Sequence, residues 1–176
     1  MKTIIKITST IGLTTILLFQ ASESLACSCF YHGEFARNSI FHEGVIRAKV
    51  VKYGQKYHDT IFKTMTVEIT NVIKGDFNHS TLEFIGDLGG SCREYISSNK
   101  FGIGQEFLFV IGDREKVQEL AGCGESSILV DDDTVKGYKL TSNGYESYSM
   151  SLDAMIKEMK IEAIKYEKLQ QYVEEN

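Results

Sequence analysis

GVIRAKVVKY, residues 44–53, decides the fold. Ile46, Ala48 and Val50 alternate with Arg47 and Lys49, so one face is apolar and the other charged. Side chains of a strand point to opposite faces in turn, and this period of two predicts a β-strand with one face buried. A short polar link with Gly54 and Asp59 follows, and then the alternation returns. In IFKTMTVEITNVIKG, 61–75, Ile61, Met65, Val67 and Ile69 share a face with Lys63, which predicts a long, bent strand ending at Gly75-Asp76. STLEFIG, 80–86, predicts a third strand. Residues 87–104 carry four glycines and SCREYISSNK, which is loop chemistry. QEFLFVIG, 105–112, is apolar almost throughout, as expected for the middle of a sheet. The charged DREKVQELAG then leads to Cys123. SSILV (126–130) and TVKGYKLT (134–141) flank the acidic run 131–133, read as a solvated turn, and together they make a fifth, broken strand.

From Ser151 the period becomes helical. Leu152, Met155, Met159, Ala163, Tyr166, Leu169 and Val173 fall on one stripe at steps of three and four, with Lys157, Glu158, Lys160, Glu162 and Lys165 on the wet side. Ser151 suits the N-cap and Asp153 the positive end of the helix dipole, so a helix is expected over about 151–174. Such a stripe usually lies on its own sheet; docking on a partner is the competing use. Five strands of uneven length with a flanking helix predict a mainly β fold. The leading candidate is a five-stranded OB-fold (Greek-key) barrel with a C-terminal amphipathic helix, because a sandwich would show about seven strands.

The opposite end of the chain reads as an export signal, residues 1–26. Lys2 and Lys6 precede the apolar run IGLTTILLF, too short to span a bilayer comfortably, and Ser24 and Ala26 supply the small residues of a cleavage site before Cys27. A retained anchor is the competing reading, against which the cut site argues. A lipoprotein signal would acylate Cys27, but it usually wants Leu three residues earlier, where Ser24 stands. Removing 26 of 176 residues leaves 150, enough for a single domain at 27–176 with its own core. Lys2, Lys6 and Glu23 sum to +1, so the rest of the chain carries −6 against the full chain's −5. That charge argues against non-specific nucleic-acid binding. A secreted or periplasmic, monomeric protein is expected, on a membrane only if Cys27 is acylated. Asn78-His79-Ser80 matches a glycosylation sequon, relevant only in a eukaryotic secretory pathway.

Four cysteines follow the leader: Cys27, Cys29, Cys92 and Cys123. An even number in an exported chain predicts two disulfides. A Cys27–Cys29 bridge would close a tiny strained ring, so the expected pairings send both early cysteines to the two distant ones. Loops that long could each contribute about 4 kcal/mol on the chain-entropy account. Zinc-ribbon spacing is absent and His32, His42, His58 and His79 are scattered, so neither a metal site nor a cofactor of the chain's own is expected. The sequence has no phosphate loop, no HExxH and no local nucleophile signature; Arg93, Glu94 and Tyr95 beside the Cys92 loop are weak candidates, and no enzyme is expected.

Cys27-Ser28-Cys29 at a new N-terminus, followed by Val45-Ile46-Arg47-Ala48-Lys49-Val50, resembles the tissue inhibitors of metalloproteinases, whose mature chains begin Cys-x-Cys and carry a similar first strand. Cys92 after Ser91, and Cys123 after GQEFLFVIG, also fall at family-like distances, and the resemblance covers about residues 27–140. It implies the pairs Cys27–Cys92 and Cys29–Cys123, and a barrel of the netrin-module kind. Residues 30–44 hold no cysteine for that family's third N-terminal disulfide, and a single helix stands where its Cys-rich C-terminal part would be. The short first hairpin connection removes whatever contact a longer loop would make.

The resemblance implies an inhibitor of zinc metalloproteases. Cleavage before Cys27 frees an α-amino group with an ordinary pKa of about 7.7–8.0, and the neutral amine and the Cys27 carbonyl could chelate the partner's zinc. They would take the position a catalytic zinc keeps open for water. Two disulfides would hold this terminus rigid before binding, which limits the entropy lost on association. Ser28 would face the protease's primed-side pocket, and Ser91 and Cys92 would form a neighbouring ridge. A secreted or lipid-anchored OB-fold binding or adhesion module without inhibitory activity is the alternative.

Overall fold

The computed structural model describes residues 34–89, 93–112, 117–120, 124–142 and 144–175. The described chain is mainly β with one long C-terminal helix. It begins with α1 (Phe35–Asn38) and a 3-10 turn (Ser39–Phe41). The strands are β1 (Gly44–Tyr53), β2 (Lys56–His58), β3 (Ile61–Phe62), β4 (Thr64–Lys74), β5 (Thr81–Ile85), β6 (Ile96–Ser97), β7 (Glu106–Ile111), β8 (Val117–Glu119), β9 (Ser127–Asp131), β10 (Thr134–Thr141) and β11 (Gly144–Ser151). The helix α2 (Leu152–Glu174) completes the chain.

Eight strands form the main sheet in the order β11-β10-β9-β7-β1-β4-β5-β8, and β2, β3 and β6 form a small second sheet. Neighbours in the main sheet are antiparallel except β5 and β8, which run parallel. The sheet curls strongly. A flat sheet would separate β5 from β7 by three strand spacings, about 14 Å. Yet the rings of Phe84 on β5 and Phe109 on β7 lie 4.7 Å apart. Register shifts along the β1–β4 pair accompany this curl.

The curl wraps the first core. The apolar face of GVIRAKVVKY supplies Ile46, Ala48 and Val50, and Met65, Val67, Leu82, Phe84, Phe101, Phe107, Phe109 and Ile111 complete it with Ile96 and Leu120. The other face of the sheet carries a second core: Val45, Leu108, Val110, Ile128, Val130 and Val135 meet Phe35 and Ala36 of α1 and Met155 and Met159 of α2. Strand β7 is central, between β1 and β9, and feeds both cores, which is why its sequence is apolar without alternation.

Several expectations change in detail. The main sheet has eight strands where five were expected. Ile61 and Phe62 belong to the small sheet, so the stretch 61–75 is two strands; the second runs to Lys74 and stops at Gly75. Gly75 has φ +89, and a Cβ there would sit 2.8 Å from the Glu43 carbonyl oxygen, so the break needs glycine. β8 forms inside the charged excursion, and β11 forms in SNGYESYSM, where the sequence offered neither strong alternation nor an apolar run. The acidic turn is more than solvated. Asp131 pairs with Lys136, while Arg47, itself paired with Glu106, reaches the Asp133 carboxylate and the Asp132 carbonyl. The sequon residues Asn78 and Ser80 are exposed in the β4–β5 connection.

The helix begins as its sequence predicts: Ser151 Oγ accepts a hydrogen bond from the Ala154 N–H at 3.2 Å, and Asp153 lies in the first turn. Its stripe docks only in part. Met155 and Met159 are buried, and the Tyr166 ring meets Phe41 edge-on at 5.2 Å. Beyond that contact Leu169, Tyr172 and Val173 are exposed. Among the described residues no helix is long and apolar enough to cross a membrane.

Candidate functional site

Cys27, Ser28, Cys29, Ser91, Cys92 and Cys123, the residues singled out from the sequence, lie outside the described residues, as does His32. The nearest described residues are Glu34 after Cys29, Gly89 and Arg93 around Cys92, and Leu120 and Gly124 around Cys123, and hydrogen bonds link the stretches they begin or end. On the Cys92 side, the Glu94 carbonyl accepts from the Asp87 N–H at 3.0 Å, closing the loop that carries Ser91 and Cys92. The Glu94 N–H donates to the Leu120 carbonyl at 2.7 Å, and the Leu120 N–H donates to the Ile85 carbonyl at 3.1 Å. Arg93 pairs with Glu119. The approach to Cys92 is thereby bonded to the approach to Cys123, three residues beyond Leu120.

On the far side of Cys123, Glu125 ties down the segment that follows the Cys-Ser-Cys sequence. Its carboxylate accepts from the Phe35 N–H at 3.3 Å, the Tyr138 N–H at 2.7 Å and the Tyr148 hydroxyl at 3.0 Å. Its main-chain carbonyl accepts from the Asn38 side-chain amide at 3.2 Å. Lys74 completes the fastening by donating to the carbonyls of Ser39 at 2.8 Å and His42 at 2.7 Å. Segment 34–42 is thus pinned at both ends to the sheet, and Phe35, fully buried, is its apolar anchor.

The electrostatics follow from burial. Desolvation raises the Glu125 pKa above the ordinary carboxylate value, opposed by the hydrogen bonds from Tyr138, Tyr148 and Phe35 and by the charge of Lys100. Desolvation, then the adjacent Glu125 charge, raises the Tyr148 hydroxyl, so Tyr148 remains the donor at neutral pH. Desolvation lowers the Lys74 pKa. A Cβ at Gly137 would stand 2.6 Å from both Glu125 Oε1 and the Tyr148 hydroxyl, so only glycine leaves room for the pair. Two buried atoms, Asn38 Oδ1 and Arg93 Nε, lack a hydrogen-bond partner among the described residues, and both lie beside this junction.

Next to Glu125 an open groove of about 880 Å³ runs over β9, β10 and β11, lined by Lys100, Leu129, Tyr138, Tyr145, Ser147 and Ser149 among others. Among the described residues no group of three His, Cys, Asp or Glu side chains could hold a metal ion. Glu125, Tyr148, Asn38 and Lys74 escaped the sequence reading. A glutamate in a glycine-bearing loop and a lysine ending a strand look like surface residues, and no local pattern reports that distant donors will surround them. Compared with known protein families, curated proteins and solved structures, the chain gives no match.

Proposed function

We propose that the chain is an exported inhibitor of zinc metalloproteases that acts through a new N-terminus at Cys27. The supporting observation is the convergence of three separate stretches of chain at one place. The flank of Cys92 is hydrogen-bonded to Leu120, and Glu125, two residues after Cys123, is hydrogen-bonded to Phe35, six residues after Cys29. From these anchors the cysteines are two to eight residues away, Cys27 the farthest at eight before Phe35, and such lengths reach at most about 7–28 Å. Bridges Cys27–Cys92 and Cys29–Cys123 therefore ask for no rearrangement of the described framework.

Within this reading the framework is an OB-type barrel made of β1, β4, β5, β7 and a fifth strand broken into β8 and β9; the broken strand expected over 126–141 is instead two strands, β9 and β10, paired antiparallel across the acidic turn. The parallel β5–β8 pairing and the curl of the sheet support that assignment, and β10 and β11 extend it. The barrel holds the N-terminal segment rigid. The α-amino group and carbonyl of Cys27 then take the open position of the protease's zinc, and Ser28 enters the primed-side pocket with Ser91 and Cys92 beside it. The zinc belongs to the protease, and the cysteine sulfurs serve as anchors.

The test is direct. The exported protein starts at Cys27 with an unmodified amine by intact mass, and inhibits members of a zinc-protease panel. One alanine added before Cys27 abolishes inhibition and leaves the circular dichroism spectrum unchanged. Equal inhibition by the extended protein would overturn chelation, and so would peptide mapping that found Cys27 joined only to Cys29. Replacing Ser28 by a bulky residue changes which proteases are inhibited more than it changes stability; an unaltered profile removes Ser28 from the contact.

A further inference from the structure

The groove beside Glu125 follows from the alternation of β9, β10 and β11. Across the ladders Leu129 faces Lys136, Lys136 faces Ser149 and Tyr138 faces Ser147, while Tyr145 lies two residues from Ser147. Side chains two apart on a strand share a face, so all of these rise from one side of the sheet. That side is continuous with the first core: Phe107 belongs to it, Leu129 packs against it, and both line the groove. At about 880 Å³ the groove lies within the range of about 300–1,000 Å³ usual for small-molecule sites.

Two aromatic rings stand over this floor. Tyr138 is 62% and Tyr145 69% exposed, and they are diagonal neighbours on adjacent strands, within about 7–8 Å of each other. The face of an aromatic ring carries the negative part of its quadrupole and attracts weakly positive C–H groups. Ser147 and Ser149, both exposed, add hydroxyls that donate and accept hydrogen bonds. The charges around the groove are already matched. Lys136 pairs with Asp131 at 2.6 Å, and Lys100 pairs with Glu94. The Glu125 carboxylate accepts from the Phe35 and Tyr138 N–H groups and from the Tyr148 hydroxyl.

These features select the occupant. A charged ligand would have to break one of the existing pairs or lie desolvated beside it. A wholly apolar ligand would strip water from the serine hydroxyls and leave them unpaired. A neutral ligand with an apolar C–H face and a rim of hydroxyls meets both demands, and that is the chemistry of a sugar ring. We propose that this groove binds a neutral oligosaccharide, with its rings stacked on Tyr138 and Tyr145 and its hydroxyls bonded to Ser147 and Ser149. An open groove covers one side of such a ligand, so the affinity is modest. The site uses no residue of the proposed protease contact, and it stands or falls apart from protease inhibition.

Isothermal titration calorimetry on the full exported chain tests it. The probes are neutral tetrasaccharides of glucose, mannose, xylose and N-acetylglucosamine; tetragalacturonate, a fatty acid and an unrelated extended peptide are the comparators. At least one neutral probe binds with a Kd below about 1 mM. Tyr138→Ala and Tyr145→Ala each weaken that binding at least about tenfold, with an unchanged circular dichroism spectrum because both rings are exposed. Tyr145→Phe keeps the ring and loses less than Tyr145→Ala. Lys136→Gln removes a charge the ligand does not use and changes the affinity by no more than about twofold. A chain that binds no neutral probe below about 1 mM overturns the proposal, as does affinity undiminished in both alanine variants. Tighter binding of tetragalacturonate than of every neutral probe would assign the groove to an anion, and binding of the fatty acid or the peptide alone would assign it to those; each overturns it equally.

Discussion

The two cores on either face of β7 are built on different terms. The first is almost entirely sheet, built from strands whose apolar positions alternate, and its members include four buried phenylalanines, Phe84, Phe101, Phe107 and Phe109. The second joins elements from both ends of the described chain, α1 and α2, to the back of the same strands. A half-buried carboxylate, Glu125, fastens α1 to β10 and β11 beside it. The first core asks only that apolar side chains leave water, which is non-directional and tolerant of detail. The second also needs polar partners from three stretches of chain to meet at hydrogen-bonding distance, because burying Glu125 without them would be costly. A core of the first kind is robust; one of the second kind is conditional, and it positions the segment that leads back to Cys29.

Substitutions at four positions separate the two, from the largest effect down. Phe109→Ala opens the first core where four aromatic rings pack. A loss of about 3–5 kcal/mol is expected by chemical denaturation, affecting the whole described fold. Met155→Ala in the second core costs about 2 kcal/mol, because α2 can shift to fill part of the space. Equal losses at both positions would erase the distinction between the cores.

Glu125→Gln sharpens it through pH. The folded-state pKa of Glu125 is raised, so its protonated form is favoured on folding. Its titration therefore contributes stability that is fully present below the ordinary carboxylate value of about 4.5 and is lost as pH rises through the higher folded value. The difference in stability between the wild type and Glu125→Gln should move in that direction across mildly acidic pH and then level off. A flat difference would mean that the carboxylate is not desolvated. Smallest of all, Leu169→Ala on the undocked end of α2 should change stability by no more than about 0.5 kcal/mol. A larger loss would show that the second core reaches further along the helix than Met159 and Tyr166.

Much of the first core was legible because alternation is a property of neighbouring residues. Ile46, Ala48, Val50, Met65 and Val67 all face inward as their spacing predicts, and the apolar run of β7 is central as its composition predicts. The helix cap at Ser151 was legible for the same reason. Strand β11 was not, because Gly144-Tyr-Glu-Ser-Tyr-Ser-Met carries little apolar signal and is a strand only through its pairing with β10. The stripe on α2 was read correctly as apolar but not in extent, since nothing in a helix records where the sheet beneath it ends. The hydrogen bonds of Glu94 with Leu120 and of Glu125 with Phe35 had no sequence signal, because each joins stretches of chain far apart in order.

By itself the sequence determined which faces are apolar and where the long helix begins. These follow from side-chain order along a backbone with two regular periods. Tertiary structure alone decided that β5 and β8 run parallel, that Glu125 is surrounded by donors from Phe35, Tyr138 and Tyr148, and that among the described strands β11 stands last in the main sheet. Those outcomes depend on which distant groups share water-free space, and the free energy of a buried charge or a strand edge is set by neighbours the chain order does not name.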